Sequence, residues 1–433
     1  MNLSLPDYSP ISVDQEAFKI LTEEIKRQRS SIQLIASENF ASPSVLAAAG
    51  SVFTNKYSEG YPKRRYYGGN QYVDELEELA ISRAKTLFSA EHVNVQPHSG
   101  ASANLAVYIA LLEPGDKIAA MRLDQGGHLT HGSPASITGK LYNFIPYGVK
   151  PKDAEFAETI DFDLLRDIAL KERPKMILAG TTAYSRVIDP KPFREIADEI
   201  GAYFVFDAAH PMGLIAAGVH PSPVGIADVV TFTTHKTLRG PRSGCIISSS
   251  DLAKKIDHAV FPGLQGGPLE HIIFSKAVAF KEAMTDEFKR YGQQIVKNAQ
   301  ALAKALEQEG FRIISGASEN HQVLIDLTSF NPDLDGKTAQ EVLDFAGITC
   351  NRNQIPNDER SPFITSGLRL GTPAETTAGM KEDQMQEIAS LIAKALRKKD
   401  DEKELLSIKD ATKELCQRFD PYPEGAPWPG LNF

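Results

Sequence analysis

Cysteine is scarce: three in 433 residues, Cys245, Cys350 and Cys416, far apart, with no CxxC pair and no metal-ligand spacing. That argues against a disulfide scaffold or a thiolate metal centre, and it fits structural thiols in a reducing compartment. Positive charge is not in excess either. A formal net charge of -9 argues against nucleic acid as the principal partner, because affinity there is built on cationic contacts to phosphate. No apolar run is long enough to cross a bilayer. The opening residues, Met1-Asn2-Leu3-Ser4-Leu5-Pro6-Asp7, lack the basic and apolar regions of a secretion signal. These absences predict a cytoplasmic protein with no membrane or nucleic-acid partner. What is present is ordinary soluble composition, 42% hydrophobic and 24% charged, in a chain long enough for at least two domains.

Residues 13–30 read as a charged amphipathic helix with Phe18, Leu21 and Ile25 on one face, an arm suited to pack on its own domain or to embrace a second subunit. Val73, Leu76, Leu79, Ala80, Ala84 and Leu87 follow helical spacing. Strand-like runs then recur at 93–95, 118–121, 176–179, 203–206, 229–232 and 245–247, with helical patterns such as 192–200 between several of them. This alternation predicts an α/β domain with a mainly parallel sheet. Beyond about residue 285, charged helices at 287–309 and 383–399 alternate with short strands at 311–314 and 323–327, as in a smaller α+β domain. The expected division is a helical arm at 1–32, a large α/β domain at 33–285 and a small C-terminal domain at 286–433. The charge run 397–404 reads as a solvated helix end or linker, and the Pro- and Gly-rich tail 421–433 as surface.

Four chemically loaded stretches fall just after strand-like runs: His98-Ser99-Gly100, Gly127-His128, Asp207 and His235-Lys236. Ligands of parallel sheets bind where strand carboxyl ends converge, so the coincidence points to one site. A lysine at the mouth of a strand needs a partner or a task, and a desolvated amine can add to a carbonyl to form a Schiff base. Ser99-Gly100 ahead of an apolar helical run offers free N–H groups to a phosphate, or simply caps the helix. Asp207 could hold a heterocyclic nitrogen protonated, or cap a helix. His128 could stack on a ring, or sit in the core bonded to backbone. The loop 57–69, with four tyrosines, three cations and Gly68-Gly69, suits a ligand or a partner chain, or is a solvated turn. No metal-ligand set emerges. A lysine, a phosphate cradle, a strand-end aspartate and a stacking histidine come in the order expected of a pyridoxal-phosphate enzyme.

The segments 34–40, 55–69, 94–104, 126–132, 207–213, 233–242, 260–271 and 353–374, above all LIASENF and THKTLRGPR, closely resemble the serine hydroxymethyltransferase family. The resemblance implies a fold-type-I pyridoxal-phosphate-dependent transferase, aspartate-aminotransferase-like, whose large domain binds the cofactor. It implies reversible transfer of the hydroxymethyl group of serine to tetrahydrofolate, giving glycine and methylenetetrahydrofolate. Carried over by position, Lys236 would bind pyridoxal 5'-phosphate covalently and Asp207 would pair with its ring nitrogen. His128 would stack on the ring, with His210 and Thr182 near its phenolic oxygen. Ser99, Gly100 and the position of Ala101 would hold the phosphate, joined across a dimer interface by Gly266-Gly267. His235 and Tyr57 would complete the cofactor set, and Thr233 belongs with the catalytic residues. Ser37 and Arg369 would grip the substrate carboxylate. Glu59, with Tyr57 and Tyr67 from a neighbouring subunit, would line the reaction centre, and Leu123, Gly127, Leu129, Tyr66 and Asn353 would hold the folate. A homodimer or tetramer with shared active sites follows.

Ala101, Ser102, Thr182, Pro211-Met212, Phe232, Ser243 and Ala378 depart from the family's usual residues. Thr182, Pro211-Met212 and Phe232 are expected to cluster round the cofactor and reshape the pocket beside the substrate Cα. Two other readings therefore stand beside serine. One is a relative acting on α-methylserine or D-alanine, or a threonine aldolase or transaldolase. The other is a non-catalytic cofactor-binding regulator, which intact Lys236, Asp207, Glu59 and Arg369 disfavour.

Overall fold

Seven strands form the main sheet of the computed structural model, which describes residues 14–422. They are β1 (His92–Asn94), β2 (Lys117–Met121), β3 (Asn143–Tyr147), β4 (Met176–Ala179), β5 (Tyr203–Asp207), β6 (Val229–Thr233) and β7 (Gly244–Ser248). Their order is β1-β7-β6-β5-β4-β2-β3. Pairings from β6 through to β3 are parallel, and only β7 runs antiparallel to its neighbours. The expected α/β class with a mainly parallel sheet is found, and all six strand-like runs form.

β3 is the strand that sequence reading omits. Its Asn-Phe-Ile-Pro-Tyr is neither apolar throughout nor alternating, and it holds a proline, which the sheet tolerates because β3 is an edge. The central strands are apolar because both faces are covered. Val230, Phe232 and Cys245 pack with Leu76, Ala80, Ala84 and Phe280 of the helices Gln71–Phe88 and Glu270–Ala283. Val205, Val229 and Ile246 pack on the other face with Ala103, Ala106 and Val107 of the helix Gly100–Leu111. Leu79 is a correction to the predicted stripe: one step round the helix from Ala80, about 100°, it faces solvent at 43% exposure.

A second sheet, antiparallel, is made of β8 (Arg312–Ile313), β9 (Gln322–Asp326), β10 (Asn351–Asn353) and β11 (Gly367–Gly371) in the order β8-β9-β11-β10. Strand period two divides its faces. Val323, Ile325, Leu368 and Leu370 join a core with Leu302 and Leu306 of the helix Asp286–Gln308 and Ile388 and Ile392 of the helix Glu382–Arg397. Ile32 and Leu34 pack there too, and Ile32 pairs with Ile348. Leu34, which the expected division gives to the large domain, thus lies in the second core.

The arm helix, Gln15–Ser30, packs Ile25 with Phe40, Ala374 and Tyr422 of its own chain. The charge run 397–404 spans the exposed link between Glu382–Arg397 and the helix Glu402–Gln417. Residues 1–13 and 423–433, including most of the Pro- and Gly-rich tail, lie outside the described residues. No helix among the described residues is long and apolar enough to cross a membrane.

Candidate active site

At the carboxyl ends of the parallel strands opens a cavity of about 290 Å³. Lys236, Asp207, His128, His210, Thr233, His235, Gly100, Ala101, Thr182, Ser37 and Arg369 line it, all expected from sequence. Asn104, Thr181, Ala209 and Arg242, which were not, complete it.

Lys236 follows β6 in a turn closed by the N–H of Gly240 on the carbonyl of Thr234 (2.6 Å) and the N–H of Arg239 on the carbonyl of Lys236 (3.1 Å). Asn39 Nδ2 donates to the same Lys236 carbonyl (2.9 Å), so LIASENF holds the turn that carries the lysine. Among the described residues two lysines are buried, and their surroundings differ. Lys276 Nζ donates to the carbonyls of Val95 (2.6 Å) and Gly244 (2.7 Å), a structural role. Lys236 is 9% exposed, and among the described residues its Nζ has no hydrogen bond or ion pair. Burial, reinforced by Arg369 and Arg242 and opposed by Asp207, pushes its ammonium down to about 8. Labelling of Lys236 by a small aldehyde and borohydride should accelerate about tenfold per pH unit below pH 8 and level off above it. Peptide mass mapping across pH 6–10 would read this, and a rate flat below pH 8 contradicts it.

Asp207 ends β5 with its carboxylate fully engaged. Oδ2 accepts from Asn104 Nδ2 (2.8 Å) and His131 Nε2 (3.1 Å), and Oδ1 from the N–H of Ala209 (2.9 Å). The N–H of His128 donates to His131 Nδ1 (3.2 Å), which leaves the His131 proton on Nε2, facing the carboxylate. Burial disfavours the Asp207 anion, but the hydrogen bond from His131, the Asn104 bond and the attraction the anion exerts on a proton at His131 or His128 outweigh it and hold the carboxyl well below the ordinary range. The N–H of Thr130 donates to His128 Nδ1 (3.2 Å), and burial with neighbouring His131 pushes His128 down to about 4. It is a neutral flat ring on the cavity wall. Burial and the Arg242 charge push His235 to about 3, and burial with the Lys236 charge also keeps His210 neutral.

Arg369, on β11, is positioned by the carbonyl of Thr182, which accepts from Nη1 (2.7 Å), and by Asn351 Oδ1, which accepts from Nε (3.0 Å). Ser99 caps the helix Gly100–Leu111: its Oγ accepts from the N–H of Ser102 (3.1 Å), and Ser102 Oγ accepts from the N–H of Ser99 (2.9 Å). The hydroxyl of Ser99 is thereby committed to the helix start, while Gly100 and Ala101 face the cavity. At Gly100 a Cβ would come 2.6 Å from Thr233 Cγ2, so the backbone approaches more closely than a side chain permits.

The other expected residues lie elsewhere on the chain. Tyr57 Oη donates to Glu59 Oε1 (3.3 Å), Tyr57 and Tyr67 meet edge to face, and Gly266 and Gly267 abut Glu59 and the Tyr57 ring. This group, with exposed Tyr66, does not line the cavity of its own chain. Leu123 and Leu129 are exposed, Gly127 packs on the carbonyl of Met121, and Asn353 ends β10. Of the departures, Met212 and Phe232 overturn the expectation of a reshaped pocket. Both are fully buried in the core beneath the sheet, Phe232 against Phe88, and neither they nor buried Pro211 line the cavity. Only Ala101 and Thr182 do.

An unpartnered amine and a buried His210 Nε2 without a partner among the described residues, a glycine-only helix start, and Arg369 and Arg242 opposite one carboxylate fit an anionic aldehyde with a basic ring nitrogen. With this sheet they define a pyridoxal-phosphate enzyme of fold type I. The family model for serine hydroxymethyltransferase matches residues 11–392, and the chain belongs to that family. It is a pyridoxal-phosphate-dependent hydroxymethyltransferase of serine–glycine one-carbon chemistry.

Proposed function

We propose that the protein transfers the hydroxymethyl group of L-serine to tetrahydrofolate, with pyridoxal phosphate held in the Lys236 cavity. The observation that carries this is the position of the departures: Met212 and Phe232 fill the core, so the wall beside Lys236 keeps the family's residues except at Thr182 and Ala101. Pyridoxal phosphate supplies the electron sink that lets the Cα–Cβ bond open. Lys236 would tether it, Asp207 would keep the proton on its ring nitrogen, and His128 would supply a flat neutral wall for the ring. Thr182 and His210 would hold its phenolic oxygen, and Gly100, Ala101 and the Ser99 turn would receive its phosphate. Ser37 and Arg369 orient the amino-acid carboxylate, and Arg369 suits the task because its planar fork matches two oxygens.

Glu59, Tyr57, Tyr67 and Gly266-Gly267 are presented on the surface for the cavity of a second copy, in a cytoplasmic homodimer or tetramer. There Glu59 moves the proton of the hydroxymethyl group, and Tyr66, Leu123, Gly127, Leu129 and Asn353 hold the folate. The arm 1–32, cofactor domain 33–285 and small domain 286–433 serve as the units of this assembly.

The test is comparative turnover: serine with tetrahydrofolate, α-methylserine with tetrahydrofolate, and threonine or phenylserine without it. Serine is expected to give the highest kcat/KM. A higher value for α-methylserine replaces this reading with the specialised one.

A further inference from the structure

β9 turns Gln322 and Leu324 away from the core that takes Val323 and Ile325, and places them opposite Gly371 and Arg369 of β11. Gln322 is therefore a buried amide on the face that looks toward the cavity, 1% exposed. Its Nε2 lies 3.3 Å from His210 Nδ1, and His321 Nε2 lies 3.0 Å from the same atom, with the two imidazole planes 20° apart. The other edge of His210 lines the cavity, and its Nε2 is buried without a partner.

A neutral imidazole carries one N–H, and the neighbours of His210 decide where it sits. If Nδ1 accepts, His321 Nε2–H at 3.0 Å and the Gln322 amide at 3.3 Å share its one lone pair. Among the described residues, the buried groups left over are then two acceptors, His321 Nδ1 and Gln322 Oε1, and one N–H, that of His210 Nε2, which faces the cavity. If Nδ1 donates to His321 Nε2, the His321 proton moves to its Nδ1, where nothing accepts it. The Gln322 amide must then turn its oxygen to His210 and leave its NH2 unpaired. Buried unpaired N–H groups are much rarer in folded proteins than under-satisfied oxygens; the first arrangement leaves one such donor and the second two, so the first wins.

We propose that Gln322 is a positioning residue that holds His210 as the Nε2–H tautomer, so that His210 meets the bound ligand as a hydrogen-bond donor to an oxygen. This rests on the reading of the cavity given above. It adds that the donor is set before any ligand arrives, by a residue that never touches the ligand. Burial together with the charges of Lys236 and Arg369 keeps the ring neutral, as the tautomer requires.

The test is long-range proton–nitrogen NMR of the full chain carrying ¹⁵N-histidine, with His210 assigned by its loss in His210→Asn. Wild-type protein is expected to show His210 protonated on Nε2 and bare on Nδ1. Gln322→Met keeps the volume and removes the amide. It is expected to bring in the Nδ1–H form and to lower kcat/KM about tenfold, the loss of one hydrogen bond's worth of alignment. A proton on Nδ1 in the wild type overturns the proposal, and so does a Gln322→Met protein with unchanged tautomer and unchanged kcat/KM. Wild-type protein that shows the Nε2 proton yet takes up no pyridoxal phosphate overturns the reading of the cavity instead.

Discussion

Lys236→Met should abolish borohydride fixation of pyridoxal phosphate on the chain and lower kcat about 10⁴-fold, ~5.5 kcal/mol of transition-state free energy. The same change should make the fold more stable. Methionine keeps the buried stem and removes an amine that has neither hydrogen bond nor counter-ion among the described residues, a relief of about 1–2 kcal/mol. The pH dependence fixes the sign. The folded ammonium is pushed down to about 8 while the unfolded one titrates near 10.4, so between these values the unfolded chain holds the extra proton and stability rises with pH. The penalty is fully present below about pH 8 and gone by about pH 10.5. The variant's advantage in Tm should follow it, largest at neutral pH and vanishing in alkali. Scanning calorimetry of the coenzyme-free proteins between pH 6 and 10.5 reads the difference. A variant less stable than the wild type at pH 7 would mean that Lys236 is a structural lysine like Lys276.

Why the cavity was readable in the chain follows from strand geometry. A parallel sheet delivers the ends of its strands to one edge, so Gly100, His128, Asp207 and His235-Lys236 could be brought together without any knowledge of packing. What escaped were polar residues inside regular elements. Asn104 lies one helical turn beyond Gly100 in an otherwise apolar helix, and that spacing could have marked it. His131 lies three residues beyond His128 in a tight 3₁₀ turn, within reach of Asp207. His321 and Gln322 come from a different sheet, and no local pattern announces contact between β9 and the turn after β5. The same blindness misplaced Phe232. Adjacent to Thr233 in sequence, it points the other way because successive strand residues alternate faces. Residues of the strand that leads to Lys236 are thus as easily core as pocket.

Asp207→Asn should lower kcat about 10³-fold without moving Lys236, for an electrostatic reason. Both oxygens of Asp207 already receive donors: Asn104 and His131 on Oδ2, the Ala209 N–H on Oδ1. An asparagine places an NH2 against one of these donor sets, so the variant loses its charge and gains a clash of like hydrogen-bonding groups, about 1–3 kcal/mol of stability. The two losses separate by pH. The native carboxyl is held below its unfolded value near 3.9, so its stabilisation is complete above about pH 4 and disappears as the pH falls through the folded value. Wild type and variant should differ in Tm by a constant amount from pH 8 to pH 5 and converge below pH 4. The kcat deficit should stay flat over pH 6–9, because no titration restores a deleted anion. His131→Asn removes the principal donor while leaving the carboxylate, and should cost about tenfold in kcat, with the acid limb of the stability curve moved to higher pH. If instead Asp207→Asn keeps near-native kcat, the carboxylate is a structural acceptor for Asn104 and His131, and the ring proton is held by another group.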